Sequence, residues 1–447
     1  MEEINRKFIE ACKDNQVKEV KRLLTPSGFW IFKSSADINV KDEKGSTALH
    51  WASLAGHAEI VKLLIDNGAD IKLKDGKLKA IPLHLASMKG HKDIVELLIA
   101  NGSDLNEKEV DGWTALRWSV NDGHKEVAEL LVNKGTDVNL NANDGSSALH
   151  WAAHQGYIEI AQLLINSGAD LNVKERGIGG TPLIFASNGG QKEIAELLVT
   201  SGADLNVKDE KDGYTALHHS IMQKHVEISK LLINNDSELN VRDNKDNTPL
   251  CLAIAANEKE VIELLLNKGA DVNQHVGNGC TVLHMAVNLG FPEYVKILIE
   301  NNANLNIKDN FGNLPLHYAT QRSNIKIAEL LIAYGAELNH FDQDNFSALI
   351  IATWLGHKEI AKLLILSGAD LDLRGKGGLT ALHVASSLGQ MDISKMLVEK
   401  GADINVSSDM LLTPLDSASI AGKKEIVEFL TANGAKRNTV DIDDVNP

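Results

Sequence analysis

Histidine is the residue type in this sequence best suited to metal binding or proton transfer, and the chain contains 16 histidines. Twelve of them form two series that recur at multiples of 33 or 34 residues. The first series is His50, His84, His150, His218, His284, His317 and His383, and the second is His57, His91, His124, His225 and His357. Because both series recur with the chain's period, we expect them to make turn hydrogen bonds. His154, His219, His275 and His340 remain, and none of them has a second ligand at the HExxH spacing.

Other signatures of catalysis are missing from the sequence. It has no P-loop lysine, no G-x-S-x-G elbow and no C-x-x-C pair. The glycine cluster at residues 177–180 is similar to a phosphate loop but lacks GK[ST], which favours a permissive turn. Cys12, Cys251 and Cys280 are too few and too far apart for a disulfide framework or a thiolate zinc site. The sequence therefore predicts no enzyme activity, no cofactor and no metal site.

Charge and hydropathy limit the environment and the partners of the chain. The net charge of −16 would repel a phosphate backbone, so we expect no nucleic-acid binding and favour a basic or neutral protein partner. No apolar run approaches the roughly 18 residues of a membrane span, and the N-terminus lacks the apolar core of a signal peptide. These features predict a cytoplasmic monomer without stable membrane insertion, or a protein delivered into a host cytosol without a classical signal peptide.

The dominant pattern is a four-residue motif of the Thr-Pro-Leu-His type that recurs at steps of 33 or 34 residues. Its twelve copies begin at Thr47, Ile81, Thr114, Ser147, Thr181, Thr215, Thr248, Thr281, Leu314, Ser347, Thr380 and Thr413. From about residue 4 to about residue 438, the chain resembles the ankyrin-repeat family, whose signature is Thr-Pro-Leu-His-x-Ala. The resemblance implies an all-α fold of helix-turn-helix pairs with β-turn fingers, stacked as a right-handed, curved solenoid.

The residues of one copy explain how each repeat forms. Gly45 permits a tight turn, Thr47 can act as the N-cap of a first helix, and Gly56 can end that helix in the left-handed conformation. A single helix pair cannot bury its apolar face alone, so neighbouring repeats must stack. Lys224 and Ser323 stand where glycine usually turns, which predicts a left-handed backbone there or a different turn.

The resemblance divides the chain into four parts. We expect an N-terminal capping helix pair over 1–41 with an apolar insertion at 25–35, eleven repeats over 42–407, a C-terminal capping repeat over 408–440 and an acidic tail over 441–447. The insertion carries Phe29, Trp30 and Phe32. Three interpretations of these aromatics stay open: a plug over the open N-terminal end, an anchor that projects towards the concave face, or a tip that dips into a membrane.

Proteins similar to ankyrin arrays generally bind partners on the concave face, which is made of the finger tips and the first helices. On this chain, that implies Trp113, Tyr214 and Phe346 at exposed finger tips, and Lys77 and Lys79 in a lysine-rich turn. The candidates on first helices are Trp51, Met88, Trp118, Trp151, His154 and Trp354. For the tip aromatics and the tryptophans the alternative is ordinary packing, and for the lysines it is a solvated loop.

The sequence thus predicts a scaffold or adaptor that binds a protein partner. Richness in Lys, Asn and Ile resembles ankyrin-repeat proteins of intracellular bacteria and their hosts, some of which act as effectors. The alternative hypothesis is that the chain is a substrate, because oxygenases hydroxylate the turn asparagine in similar repeats. That asparagine is Asn39, Asn106, Asn139, Asn172, Asn206, Asn240, Asn273, Asn306, Asn339 or Asn405.

Overall fold

A computed structural model describes residues 2–25 and 35–438 of the chain. The chain divides into two compact units, Met1–Glu238 and Leu239–Pro447. The described residues contain 26 α-helices and no β-strand, so the expected all-α, ankyrin-type fold is confirmed. The Phe29, Trp30 and Phe32 side chains and the acidic tail lie outside the described residues.

The first unit consists of consecutive helix pairs, and a short turn joins the two helices of each pair. Each pair after the first is preceded by a finger, the turn that leads into the four-residue motif. The helices are α1 Glu2–Lys13, α2 Val17–Leu24, α3 Ala48–Ala55, α4 Ala58–Asp66, α5 Pro82–Met88, α6 Lys92–Ala100, α7 Ala115–Asn121, α8 Lys125–Asn133, α9 Ala148–Gln155, α10 Ile158–Asn166, α11 Pro182–Gly189, α12 Lys192–Thr200, α13 Ala216–Met222 and α14 Val226–Asn234.

The second unit repeats this order of fingers and helix pairs. Two of its fingers contain short 3-10 helices, Gly277–Gly279 and Lys376–Gly378. Its α-helices are α15 Pro249–Ala256, α16 Lys259–Asn267, α17 Val282–Leu289, α18 Pro292–Glu300, α19 Pro315–Gln321, α20 Ile325–Ala333, α21 Ala348–Trp354, α22 Lys358–Leu366, α23 Ala381–Leu388, α24 Met391–Glu399, α25 Pro414–Ile420 and α26 Lys424–Ala432.

Most first helices begin at a Thr or Ser cap, and the backbone turns left-handed where they end. The Thr47 side chain accepts a hydrogen bond from the main chain of His50, and the His50 ring in turn accepts from the main-chain N–H of Thr47. Gly56 ends α3 with φ 82°, as its place in the motif predicts. Gly45 has φ 74°, and a Cβ there would lie 2.7 Å from Cα of Gly76 in the next finger. Glycine therefore lets neighbouring fingers pack together.

The core of each unit lies between neighbouring repeats. First helices pack side by side, as α3 does on α5 and α23 does on α25. Leu49, Ile60 and Leu64 of one repeat are fully or almost fully buried, and the corresponding residues of the other repeats follow the same pattern. Stacking thus removes from water the apolar faces that a lone repeat would expose.

The motif histidines connect consecutive repeats. His50 Nδ1 accepts from the main chain of Thr47 at 3.1 Å, and Nε2 lies 3.1 Å from the carbonyl oxygen of Ala80 in the next repeat. An N–H on one side and a carbonyl on the other require the neutral ring with its proton on Nε2. Burial lowers the pKa of His50 and so favours this neutral form. The expected turn hydrogen bonds are therefore confirmed.

The second histidine series points back to the preceding repeat. A ring nitrogen of His91 lies 3.2 Å from the carbonyl oxygen of Leu54, and His124 makes the same contact with Met88 at 3.0 Å. These contacts satisfy carbonyl groups at the ends of first helices. Together, the two series tie the repeats that carry these histidines to their neighbours.

Two positions without glycine adopt the left-handed backbone all the same. Lys224 has φ 60° and Ser323 has φ 54°. Of the two expected outcomes, the structure thus shows the left-handed one, which is unfavourable for a residue with a Cβ.

Candidate functional site

Several fingers place a carboxylate beside a ring donor on the first helix that follows. Oδ2 of Asp42 accepts from the indole N–H of Trp51 at 2.8 Å. The same register pairs Asp209 with His219 at 2.8 Å and Asp309 with the hydroxyl of Tyr318 at 2.7 Å. The finger acid therefore fixes the ring that follows the motif. His219, which lies outside both histidine series, takes this role.

A groove of about 740 Å³ opens between the first two fingers. Apolar side chains line it together with acidic and basic ones. The apolar lining residues are Trp51, Leu54, Leu78, Leu85 and Met88. Trp51, Leu54, Leu78 and Met88 are half-buried and Leu85 is buried, so a wide apolar surface is only partly covered. We call this cavity the first groove.

The ring of Trp51 is held in place from two sides of the first groove. Besides its bond to Asp42, it carries the Lys13 ammonium 4.1 Å from its ring centroid. Lys13 also lies 3.5 Å from Oδ2 of Asp42. Hydrogen bonds from Ser46, Trp51 and Lys44 outweigh the opposing effect of burial and lower the pKa of Asp42. A charged carboxylate thus orients the largest side chain of the groove.

The lysine-rich turn reaches the rim of the first groove. Lys44 and Lys77 line it, and Lys77 is exposed. Lys79 is also exposed, has φ 60° and does not line the groove. Lys74 pairs with Glu107 at 2.5 Å. Of the two predicted lysines, Lys77 therefore lines the same groove as Trp51 and Met88, and Lys79 does not.

Three other tryptophans, Trp113, Trp118 and Trp151, form a separate cluster in the third and fourth motif repeats. The Trp113 ring lies 4.5 Å from that of Trp118 and 6.4 Å from that of Trp151. All three are half-buried. The exposed ring of His154 lies 6.0 Å from Trp151. The sequence-predicted residues of the first unit thus gather in two places: the first groove and this tryptophan cluster.

A buried arginine lies at the centre of the tryptophan cluster. The guanidinium carbon of Arg117 is 4.2 Å from the Trp113 ring centroid and 4.4 Å from that of Trp151. Its side chain is 2% exposed, and within the described residues no hydrogen-bond partner exists for any of its three guanidinium nitrogens. Burial lowers its pKa to about 9, while the charge of Asp144 acts in the opposite direction. Two indole faces therefore replace water around this cation.

Sequence reasoning did not single out Arg117 as a site residue. The sequence nevertheless marks Arg117 as unusual. It occupies the fourth place of the motif, where the histidine of neighbouring copies binds a carbonyl of the next repeat. The indole N–H of Trp118 is also buried without a partner in the described part of the chain. This region therefore contains polar groups that the fold leaves unsatisfied.

In the second unit, Phe346 and Trp354 lie together. Their ring centroids are 5.9 Å apart, and a pocket of about 410 Å³ opens beside them. Phe346 is half-buried, and Trp354 is 56% exposed. Ile351 and Leu355 add apolar surface, and Asp342 and Asp344 lie at the rim. We call this cavity the Trp354 pocket.

Tyr214 departs from the predicted pattern. It was expected to be exposed at a finger tip, but it is 9% exposed, so that expectation is wrong. Its ring stacks on His218 at 5.7 Å and meets His219 edge-on at 5.5 Å. The Tyr214 ring packs against these two histidines of the following helix, and this packing buries it.

The ten turn asparagines form a hydrogen-bond series of their own. Oδ1 of Asn39 accepts from the main-chain N–H of Asp70 at 2.9 Å, and Oδ1 of Asn139 accepts from Asp170 at 2.8 Å. The other eight make the same contact with the following repeat. Each asparagine therefore links one finger base to the next.

The described part of the chain shows neither a metal site nor a membrane-spanning helix. Residues 2–25 and 35–438 contain no group of three or more His, Cys, Asp or Glu placed to hold a metal ion. In the same ranges, no helix is both long and apolar enough to cross a bilayer.

Comparison with known proteins decides the family. The model for ankyrin repeats in three copies matches most of the chain, at residues 8–75, 83–175, 141–209, 183–276, 273–342 and 349–441. The chain belongs to the ankyrin-repeat family. Ankyrin repeats are a protein-interaction module and are in general non-enzymatic, so a protein-interaction module is what this chain provides.

Individual relatives share only repeats with this ankyrin chain. Palmitoyltransferase akr1 of Schizosaccharomyces pombe is 36% identical over 72 residues, which are 16% of this chain and 10% of the transferase. The Notch-regulated ankyrin repeat-containing protein of Xenopus laevis is 38% identical over 78 residues, 17% of this chain and 65% of that protein. The ankyrin repeat domain of Bcl-3, a member of the IkappaB family, is 27% identical, with a TM-score of 0.47 over 49% of this chain and all of that domain. The chain spans less than two thirds of both relatives compared by sequence.

Proposed function

We propose that this ankyrin chain is a scaffold or adaptor that binds a segment of a protein partner in the first groove. The observation that carries the proposal is the 740 Å³ groove, in which Trp51, Leu54 and Met88 from neighbouring repeats offer partly uncovered apolar surface. Tryptophan and methionine are residues that protein interfaces concentrate at their centres. A chain segment with apolar side chains would cover this surface.

The rim of the first groove favours an acidic residue next to those apolar side chains. Lys44 and Lys77 line the groove together with three carboxylates. Asp42 is engaged by Trp51 and Lys13, and Asp75 by main-chain N–H groups, so only the exposed Glu43 opposes the two lysines. Two ammonium groups in a chain of net charge −16 would orient an acidic segment along the groove. The partner therefore combines apolar anchors with at least one carboxylate.

The fixed position of Trp51 lowers the entropic penalty of binding. Its indole N–H and one ring face are already held by Asp42 and Lys13. A side chain that is ordered before the partner arrives loses little freedom on association. Trp51 is thus suited to serve as the anchor of the interface.

Affinity capture from cell lysate, followed by mass spectrometry, tests this proposal. Met88→Glu places a charge in the first groove and should abolish capture of the partners that the native chain retains. Ala255→Glu is the matched control, because Ala255 is exposed and has the same motif position in the second unit. Its partners and its melting curve should remain those of the native chain. Unchanged capture by Met88→Glu, at unchanged stability, would overturn the proposal.

A second candidate function is that of a substrate for an asparagine hydroxylase. Ten turn asparagines share one hydrogen-bonded setting, which would offer an oxygenase a repeated recognition element. Incubation with extract from eukaryotic cells, followed by intact-mass and peptide analysis, should then show added oxygen on these residues. An unaltered mass excludes this candidate. An effector delivered into a host cell would be a narrower form of the scaffold proposal, and its only motivation is the composition of the chain.

A further inference from the structure

The finger acid of the Trp354 repeat lacks the ring donor that Asp42, Asp209 and Asp309 have. Oδ1 of Asp342 accepts from the main chain of Asp344 at 2.9 Å and of Phe346 at 2.8 Å, as the finger requires. The register that holds Trp51 or Tyr318 in other repeats holds Ile351 here. Isoleucine has no polar hydrogen to donate. In the described part of the chain, no donor reaches Oδ2 of Asp342.

The unused carboxylate oxygen belongs to a residue of the Trp354 pocket. Asp342 is half-buried, and it lines the pocket together with Phe346, Ile351 and Trp354. The two aromatic rings lie 5.9 Å apart at an interplanar angle of 57°, so the pocket presents two differently oriented π surfaces. A carboxylate oxygen beside exposed aromatic surface is the combination that a cation with an apolar stem prefers.

Neighbouring charged residues have partners other than Oδ2 of Asp342. Asp344 pairs with Lys376 at 3.5 Å, and both side chains are exposed. Arg322 donates from Nε to Asn288 at 3.0 Å. Neither of these cations contacts Asp342, so the basic residues within 2–25 and 35–438 leave its second oxygen open.

We propose that the Trp354 pocket binds an arginine side chain from an extended segment of a protein partner. The guanidinium plane would stack on the Trp354 indole and donate to Oδ2 of Asp342, and a neighbouring apolar residue of the segment would cover Leu355. Arginine fits better than lysine because it is planar, weakly hydrated and able to stack and donate at once. The two carboxylates that line this pocket, Asp342 and Asp344, favour such a segment over an acidic one. This is a second site, and it does not depend on the first groove.

Fluorine NMR of 5-fluorotryptophan-labelled protein can test the site directly. The sequence has six tryptophans, and Trp354→Phe assigns the signal of interest. The probe is the peptide acetyl-Ala-Leu-Arg-Leu-Ala-amide, titrated into the full chain at physiological ionic strength. We expect a saturable shift of the Trp354 signal. The same peptide with citrulline in place of arginine keeps the shape but lacks the charge, and it should bind about tenfold more weakly or worse.

Asp342→Asn is the decisive variant because it is designed to preserve the finger. Its side-chain carbonyl can still accept the two main-chain N–H bonds, while the second oxygen becomes an amide donor. Affinity for the arginine peptide should fall about tenfold or more. Glu359→Gln is the matched control, since it removes one charge from an exposed position on the second helix of the same repeat. It should leave the affinity unchanged.

Three results would overturn the inference. They are the absence of any Trp354 shift with the arginine peptide, equal binding of the citrulline peptide, and equal loss of affinity in Asp342→Asn and Glu359→Gln. A lysine peptide that binds more tightly than the arginine peptide would contradict the stacking geometry. Met88→Glu should not alter any of these titrations, so failure here and failure of the first-groove proposal can be told apart.

Discussion

The indole nitrogen of Trp51 lies 2.8 Å from Oδ2 of Asp42, and this bond joins a finger turn to the helix that follows it. Tyr318 makes the equivalent bond to Asp309 with a hydroxyl group at 2.7 Å. At this register of the repeat, an indole and a phenol can therefore each donate to the finger acid. This equivalence allows the hydrogen bond to be separated from the packing of the ring.

Trp51→Phe should destabilise the first unit relative to Trp51→Tyr. Both variants lose the indole, but only tyrosine can donate to Asp42 as Tyr318 does to Asp309. We expect the phenylalanine variant to be less stable than the tyrosine variant by about 1–2 kcal/mol, because a hydrogen bond to a charged group is lost. Hydrogen exchange of the α3 amides in increasing urea measures the difference. Equal protection in the two variants would show that the carboxylate does not stabilise the ring.

Arg117→His should stabilise the fold while changing the tryptophan cluster. Histidine would restore the ring that binds a carbonyl of the next repeat in neighbouring copies, and it would remove a buried guanidinium that has no hydrogen-bond partner in the described residues. We expect a gain of about 1–2 kcal/mol in the free energy of unfolding. The gain stays this small because the two indole contacts already offset part of the desolvation penalty of the Arg117 guanidinium. Urea denaturation followed by tryptophan fluorescence provides the measurement. A loss of stability would mean that the two indole contacts outweigh the missing hydrogen bonds.

Lys224→Gly should stabilise the first unit by removing backbone strain. Lys224 has φ 60°, where a Cβ is unfavourable, and glycine adopts this conformation freely. The expected gain is about 0.5–1 kcal/mol, because the greater freedom of glycine in the unfolded chain offsets part of the relief. Lys224→Ala serves as the control, since it removes the charge and keeps the Cβ. Should alanine stabilise as much as glycine, the effect would come from the lysine side chain and not from the backbone.

Unfolding should take up protons near pH 6. Burial lowers the pKa of His50, His84, His150, His284, His317 and His383, whose folded rings stay neutral. In the unfolded chain the histidine pKa is about 6.5, so below that pH the unfolded state binds more protons than the folded state. The free energy of unfolding therefore falls as the pH drops below about 6.5 and is insensitive to these residues at higher pH. Calorimetry in buffers of different ionisation enthalpy measures the proton number, and proton release at pH 6 would contradict the assignment.

The repeat architecture was predictable because the residues that make it lie close together in sequence. Thr47 and His50 form the cap of α3 within one turn, and Gly56 ends the same helix. The motif that carries this cap recurs twelve times, so one local pattern predicts the helix pairs of the repeats. The roles of the motif histidines followed from the same periodicity.

What only the tertiary structure decided is how individual side chains meet between finger and helix or across repeats. Tyr214 is buried because His218 and His219 give it a surface to stack on, although its motif position suggested exposure. Arg117 lies between Trp113 and Trp151, and Trp151 comes from the next repeat. Such contacts depend on rotamers and on the identity of residues about one period away. Sequence by itself determined the family and most of the helix caps, and it predicted positions for a partner. Side-chain packing determined which of those positions became the first groove, the tryptophan cluster or the Trp354 pocket.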